Sequence, residues 1–234
     1  EACEAGEYAS ADATSCQPCP DGGVAGSGEA SGACATCDAG FAPSEDQSKC
    51  EICGVGTFAA AGATSCSPCQ AGWVAIPGSG ECTRCEAGEY AKEDNSTCLA
   101  CPAGTVSSAG SITCDDSCPV GSVAQQGSAE CTPCQPGRVP NLNKDLCLPC
   151  EAGSHSSADR SECPPCKPGS WSSTGASACR LCEAGKFEEN RLTCRSCGEG
   201  EVSEEGSTFC TSGCPPGYHV PPGSNACMLG STSP

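Results

Sequence analysis

Bulky apolar side chains are scarce along this chain and fall on a beat of about sixteen residues. One stands five places after a cysteine in nearly every period: Tyr8, Val24, Phe58, Val74, Tyr90, Val106, Val123, Val139, His155, Trp171, Phe187, Val202 and His219. Phe41 comes one place early and leaves Ala42 in the slot. Three places after the same cysteine stands glycine in every period, from Gly6 and Gly22 to Gly200 and Gly217. A slot filled only by glycine needs positive φ or close backbone approach. Nine places after it come Gly, Asp or Asn, as in Asp12, Gly62, Asp94 and Asn143 (the shortened twelfth unit puts Asn190 one place early), residue types that tolerate left-handed turn geometry. Helical periodicity is absent, and the repeated Gly and Pro would interrupt a helix. Each period therefore predicts a cysteine, a tight turn, an extended leg, a second turn, a second leg and a closing cysteine. The unit is a small irregular hairpin with one apolar plug.

Cysteine supplies the frame. The opening residues are Cys3, Cys19, Cys37, Cys53, Cys69, Cys85, Cys101, Cys118, Cys134, Cys150, Cys166, Cys182, Cys197 and Cys214. The closing ones are Cys16, Cys34, Cys50, Cys66, Cys82, Cys98, Cys114, Cys131, Cys147, Cys163, Cys179, Cys194, Cys210 and Cys227. Together they use all 28 cysteines of the 234-residue chain in fourteen units and leave none over. The expected fold class is small, disulfide-rich, irregular β with little or no helix, one tandem array over residues 1–234. At about 4.8 Å between strands the units would add up to an elongated rod on the order of 140 Å. Longer spacers, Cys114-DDS-Cys118 and Cys210-TSG-Cys214, and the tryptophans Trp73 and Trp171 each recur six units apart, which suggests a superperiod near 97 residues.

Composition explains why sulfur is needed. Leu, Ile, Val and Phe number 23, and the net charge is −18. Such a chain buries too little surface to offset its conformational entropy without cross-links. Disulfides contribute roughly 2–4 kcal/mol each and imply an oxidising compartment, hence an extracellular, secreted or cell-surface location. Eleven basic against 29 acidic residues argue against nucleic acid and anionic membranes, and no run reaches the length of a membrane span. Glu1 reads as a processed or truncated start, and the array as an excerpt of a longer chain.

Units such as Cys3-EAGEYASADATS-Cys16-QP-Cys19 and Cys101-PAGTVSSAGSIT-Cys114 resemble the ephrin-receptor-like cysteine-rich repeat and the first module of tumour necrosis factor receptor repeats. The resemblance covers essentially the whole chain. It implies an extracellular rod or stalk and brings no catalytic residues. The departures are two extra residues before Cys34 and one fewer before Cys194. Two cysteine pairings stay open: each unit closed on itself, as Cys3–Cys16, or neighbours interleaved, as Cys3–Cys19 with Cys16–Cys34. The resemblance to epidermal-growth-factor-type modules favours interleaving. The lack of any difference between odd and even units favours self-closure.

Other chemistry weighs less. The set Cys16, Cys19, Cys34 and Cys37 has the spacing of a zinc ribbon, but the uniform seams favour a disulfide ladder and no metal or cofactor is expected. His155 and His219 sit in the plug slot and read as packing residues, so no enzyme is expected. Glu188-Glu189 and Glu204-Glu205 lack calcium-loop spacing and read as solvated surface. Asn95-Ser96-Thr97 is an acceptor for N-linked sugar, and Ser and Thr, about a fifth of the chain, suit O-linked sugar. Pro215-Pro216 and Pro221-Pro222 are candidates for hydroxylation. The expected function is a glycosylated structural component of an extracellular fibril, appendage or surface stalk, self-associating or bound to other fibril and surface proteins. The competing expectation is a ligand-binding or adhesion ectodomain of a receptor.

Overall fold

The computed structural model describes residues 3–12, 14–26, 33–114, 116–199, 201–214, 216–220 and 227–229. These hold no helix and no cis peptide, and each cysteine period is a hairpin, numbered 1 to 14 by its opening cysteine. Thirteen are two-stranded antiparallel ladders, such as Thr57–Phe58 with Ser67–Pro68 in hairpin 4. Hairpin 10 keeps only the single bridge Ser154↔Pro165. The chain contacts gather into two compact units, Glu1–Ser117 with Gln126–Glu130, and Cys118–Gln125 with Cys131–Pro234. The same hairpin recurs inside both.

Every hairpin closes on itself. Cys3–Cys16, Cys53–Cys66, Cys118–Cys131 and the eleven others join opener to closer across 5.5–5.9 Å of Cα separation, within the range that a disulfide spans. The interleaved pairing is not the one formed. The reason lies in the hairpin's own register, which brings each closing cysteine back beside its opener. In hairpin 6, for example, Ala91 faces Cys98, and the Cα atoms of Cys85 and Cys98 lie 5.5 Å apart. The long loop before Cys34 and the short one before Cys194 change the separation to 15 and 12 residues and leave the pairing intact.

The second turn comes in two kinds. Where the ninth position is glycine, it carries the positive φ itself: 73° at Gly62, 80° at Gly78 and 76° at Gly175. The amide three residues along the turn donates to its start, as from Ala63 N to Ala60 O, a type II pattern. Where the ninth position is Asp or Asn, the left-handed residue is the next one, against expectation: Gln47, Asn95, Lys144 and Arg160 have φ of 52–59°. There a type I turn precedes a left-handed residue, which leaves room for one more backbone rung, Ser44 N to Lys49 O or Lys92 N to Thr97 O. Hairpins 3, 6 and 9 of this kind have three-residue strands, whereas hairpin 10 keeps only its bridge. From hairpin 3 onward first strands of three or four residues begin at Phe41, Glu89, Arg138 and Lys186, every 48 or 49 residues, half the interval read from the spacers.

The plug expectation needs a second correction. In the fifth position only Ala42, Val74, Val123 and Val202 are buried. Tyr8, Phe58, Tyr90, Trp171 and Phe187 are half-buried, and His219 is exposed. The better-covered position is the sixth, held by Ala25, Ala59, Ala75, Ala91, Ala124, Ser107, Ser156, Ser172 and Ser203. With the opening cysteines of hairpins 1 to 13, exposed by at most 7%, these small residues make the core. A bulky side chain cannot occupy the gap between hairpins whose backbones bond to each other, so it leans against the edge instead.

Candidate functional site: the seams between hairpins and a cation-lined cleft

The repeated positions meet at the seams. Between hairpins 4 and 5, Gly56 N donates to Ala75 O (2.9 Å) and Cys69 N to Gly56 O (2.8 Å). Gly78 N donates back to Cys53 O (3.0 Å), and Ala59 N donates to Ser79 O (3.3 Å). The same rungs recur within both compact units, for example Gly153 N to Ser172 O and Gly175 N to Cys150 O. Buried serine adds another. Ser107, Ser172 and Ser203 donate through Oγ to the carbonyls of Glu89, Ser154 and Lys186 in the preceding hairpin, at 2.7–2.8 Å. Pro43 and Pro140 occupy the sixth position in hairpins 3 and 9 and have no N–H to give there.

The glycine three places after the opener serves a contact two hairpins away. It has positive φ at each described occurrence, 81° at Gly6 and 83° at Gly22. A Cβ on Gly22 would lie 2.5 Å from Gly62 O, and one on Gly6 would lie 2.7 Å from Asp46 O. Gly40, Gly72, Gly137 and Gly169 are closer still to Gly78, Gly110, Gly175 and Gly206. Both reasons for glycine, conformation and proximity, hold at once.

Sequence candidates fall into place around this ladder. All 28 cysteines, including the ribbon-like set Cys16, Cys19, Cys34 and Cys37, carry their sulfur in disulfides. Asn95 is half-buried, and its Nδ2 donates to Cys69 O at 3.3 Å, the link that a turn glycine makes with its backbone elsewhere. Lys144 Nζ does the same to Cys118 O, also at 3.3 Å. His155 is half-buried with Nδ1 donating to Ser156 O (3.0 Å), while His219 is exposed. Glu188 is not free surface: its carboxylate accepts from Arg191 N and from Gly169 N, and Glu189 pairs with Arg195. Glu204 and Glu205 are exposed, as expected, while Pro215 and the pair Pro221-Pro222 lie outside the described residues.

The turn aspartates are held charged. Asp46 Oδ1 accepts from Ser44 Oγ (2.7 Å), Ser48 Oγ (2.7 Å) and Ser48 N (3.1 Å). These bonds lower its pKa from 3.8 to about 2. Asp12 is lowered to about 2 by Ser10 and Thr14, and Asp94 to about 2 by Ser96 and Lys92. Asp159 moves the same way through Ser157 and Ser161. Each anion stabilises its own turn and none is buried.

Concavities interrupt this surface in the second compact unit. A cleft of about 600 Å³ is lined by Pro136, His155, Arg160, Lys167, Ser170 and Leu181, among others. A neighbouring hollow of about 360 Å³ is lined by Trp171 and Arg180 and shares Ser177 and Ala178 with it. The repeat pattern marked His155 and Trp171 as plug residues but not Arg160, Lys167 or Arg180, which occupy positions that vary from unit to unit. The cations were the available signal. No family model matches the chain, and no curated protein matches it.

Proposed function

We propose that this chain is a structural component of an extracellular fibril, appendage or surface stalk, stapled by disulfides and glycosylated at Asn95. The carrying observation is that the repeated cysteines, glycines and small sixth residues are consumed by the architecture. The cysteines close hairpins, the glycines allow hairpins two apart to touch, and the small sixth residue lets neighbours bond through their backbones. Fourteen disulfides with no free cysteine belong to an oxidising compartment. In such an array stability comes from each unit and its neighbours rather than from one central core. The resemblance to ephrin-receptor-like repeats supports the same reading. Electron micrographs of the native material are expected to show repeating fibres or stalks in which this chain is a stoichiometric component. Isolated, soluble molecules that engage a foreign ligand would count for the receptor alternative.

A further inference from the structure

The charges of this chain are unevenly shared. Residues 1–130 hold eighteen acidic and three basic side chains, whereas residues 131–182 hold four acidic and five basic ones. The first stretch thus carries most of the charge of −18, and the second is slightly cationic. Of the other basic side chains, Lys49, Lys92, Lys186 and Arg195 pair with carboxylates and Arg84, Arg138 and Lys144 donate to backbone carbonyls, while that of Arg191, which lines neither hollow, is unpaired. Among the described residues, the side chains of Arg160, Lys167 and Arg180 have no such partner. These three line the cleft and its neighbouring hollow, with Trp171 between them in sequence.

Resting on the structural reading above, we propose that this cation-lined cleft is the docking site for a second copy of the chain, which presents its acidic hairpins from residues 1–130. Charge complementarity selects that occupant. Cations left unpaired in a strongly acidic molecule attract the acidic stretch of another copy and repel little of it, and Trp171 offers an aromatic anchor beside them. The two surfaces belong to different parts of the chain, so the contact is heterologous. A heterologous contact that does not close into a ring propagates as an open filament. The acidic stretch of the second copy keeps its own cleft available for a third.

The test uses the full chain in its oxidised form, with 14N- and 15N-labelled copies mixed in equal amounts. Sedimentation velocity at about 20 mM salt is expected to show concentration-dependent association that fades near 0.5 M, where charges are screened within a few ångströms. Carbodiimide cross-linking should join Lys167 of one isotope to Asp or Glu within residues 1–130 of the other. The triple reversal R160E/K167E/R180E should weaken association at least tenfold. Because Arg160 packs its Cβ against Gly121, the double reversal K167E/R180E, at two exposed positions, serves where the triple variant fails to fold. If the wild type assembles and the folded reversal variants assemble equally well, the cleft is not the contact, although the structural reading survives. Lys167 cross-links confined to one isotope would also overturn the proposal. A wild type that stays monomeric at every salt concentration, or whose cleft retains a sulfated polysaccharide instead, overturns the proposal, and strict monomers in native material would remove the structural reading too.

Discussion

Replacing Gly22 by alanine separates the two demands on the repeat glycine, because its partner Gly62 supplies the control. Gly22 has φ of 83° and Gly62 has φ of 73°, so alanine at either position bears a left-handed conformation at about 1–2 kcal/mol. Around Gly62 a new Cβ meets nothing within 4 Å, whereas at Gly22 it falls 2.5 Å from Gly62 O and 3.3 Å from the carbonyl carbon. Those are backbone atoms of a turn anchored by Gly62 N to Cys37 O (2.8 Å), so the turn has little freedom to retreat. Overpacking of this kind costs roughly a further 1–3 kcal/mol. Gly22→Ala should therefore destabilise its seam by about 2–5 kcal/mol, against about 1–2 kcal/mol for Gly62→Ala. A single melting temperature is a poor measure in a repeat array, so the assay is hydrogen exchange followed by mass spectrometry on the oxidised chain. Peptides from hairpin 4 should exchange roughly 5- to 150-fold faster in G22A than in G62A. Equal protection in the two variants would refute the idea that contact between hairpins two apart holds the array together.

Acid should loosen the aspartate turns selectively. Asp12, Asp46 and Asp94 titrate near 2 when folded, below their ordinary 3.8, so their contribution is complete above about pH 4 and disappears as pH falls through 2. Hydrogen exchange at Ser48 and Ser96 should accelerate over that interval beyond the intrinsic change, and D46N should abolish the effect at Ser48 alone. Val202, 2% exposed, should cost about 2 kcal/mol as alanine, while fully exposed Leu142 should change stability by less than about 0.5 kcal/mol. Protease susceptibility of hairpin 13 against hairpin 9 compares them. Native material should carry sugar at Asn95, read as an intact mass above that of the polypeptide. Since Nδ2 also donates to Cys69 O, N95Q is expected to speed exchange around hairpins 5 and 6 even in unglycosylated protein, and unchanged exchange would remove the structural role of this side chain.

Local demands were legible in the residues themselves. Fourteen hairpins, their boundaries, the positive φ at Gly6 and its equivalents and the absence of helix all follow from fixed cysteine spacing and from a slot that only glycine fills. Such constraints act within a few residues, and a single chain records them repeatedly. The disulfide partners were not legible, because opener-to-closer and interleaved pairings use nearly the same loop lengths. The left-handed residue of the aspartate turns was misplaced by one, since the side chain of Asp46 stabilises a turn whose strained residue is its neighbour Gln47. The burial of Ala59 and Ala75 in preference to Phe58, and the placing of Arg160 and Lys167 in one cleft with Arg180 in the hollow beside it, depend on how close neighbouring hairpins come. That distance is set by backbone bonds between units, such as Gly56 N to Ala75 O, which join residues nineteen apart and leave no mark on either residue alone. The chain thus wrote its own hairpins, and only their stacking decided which side chains became core and which were left at the surface.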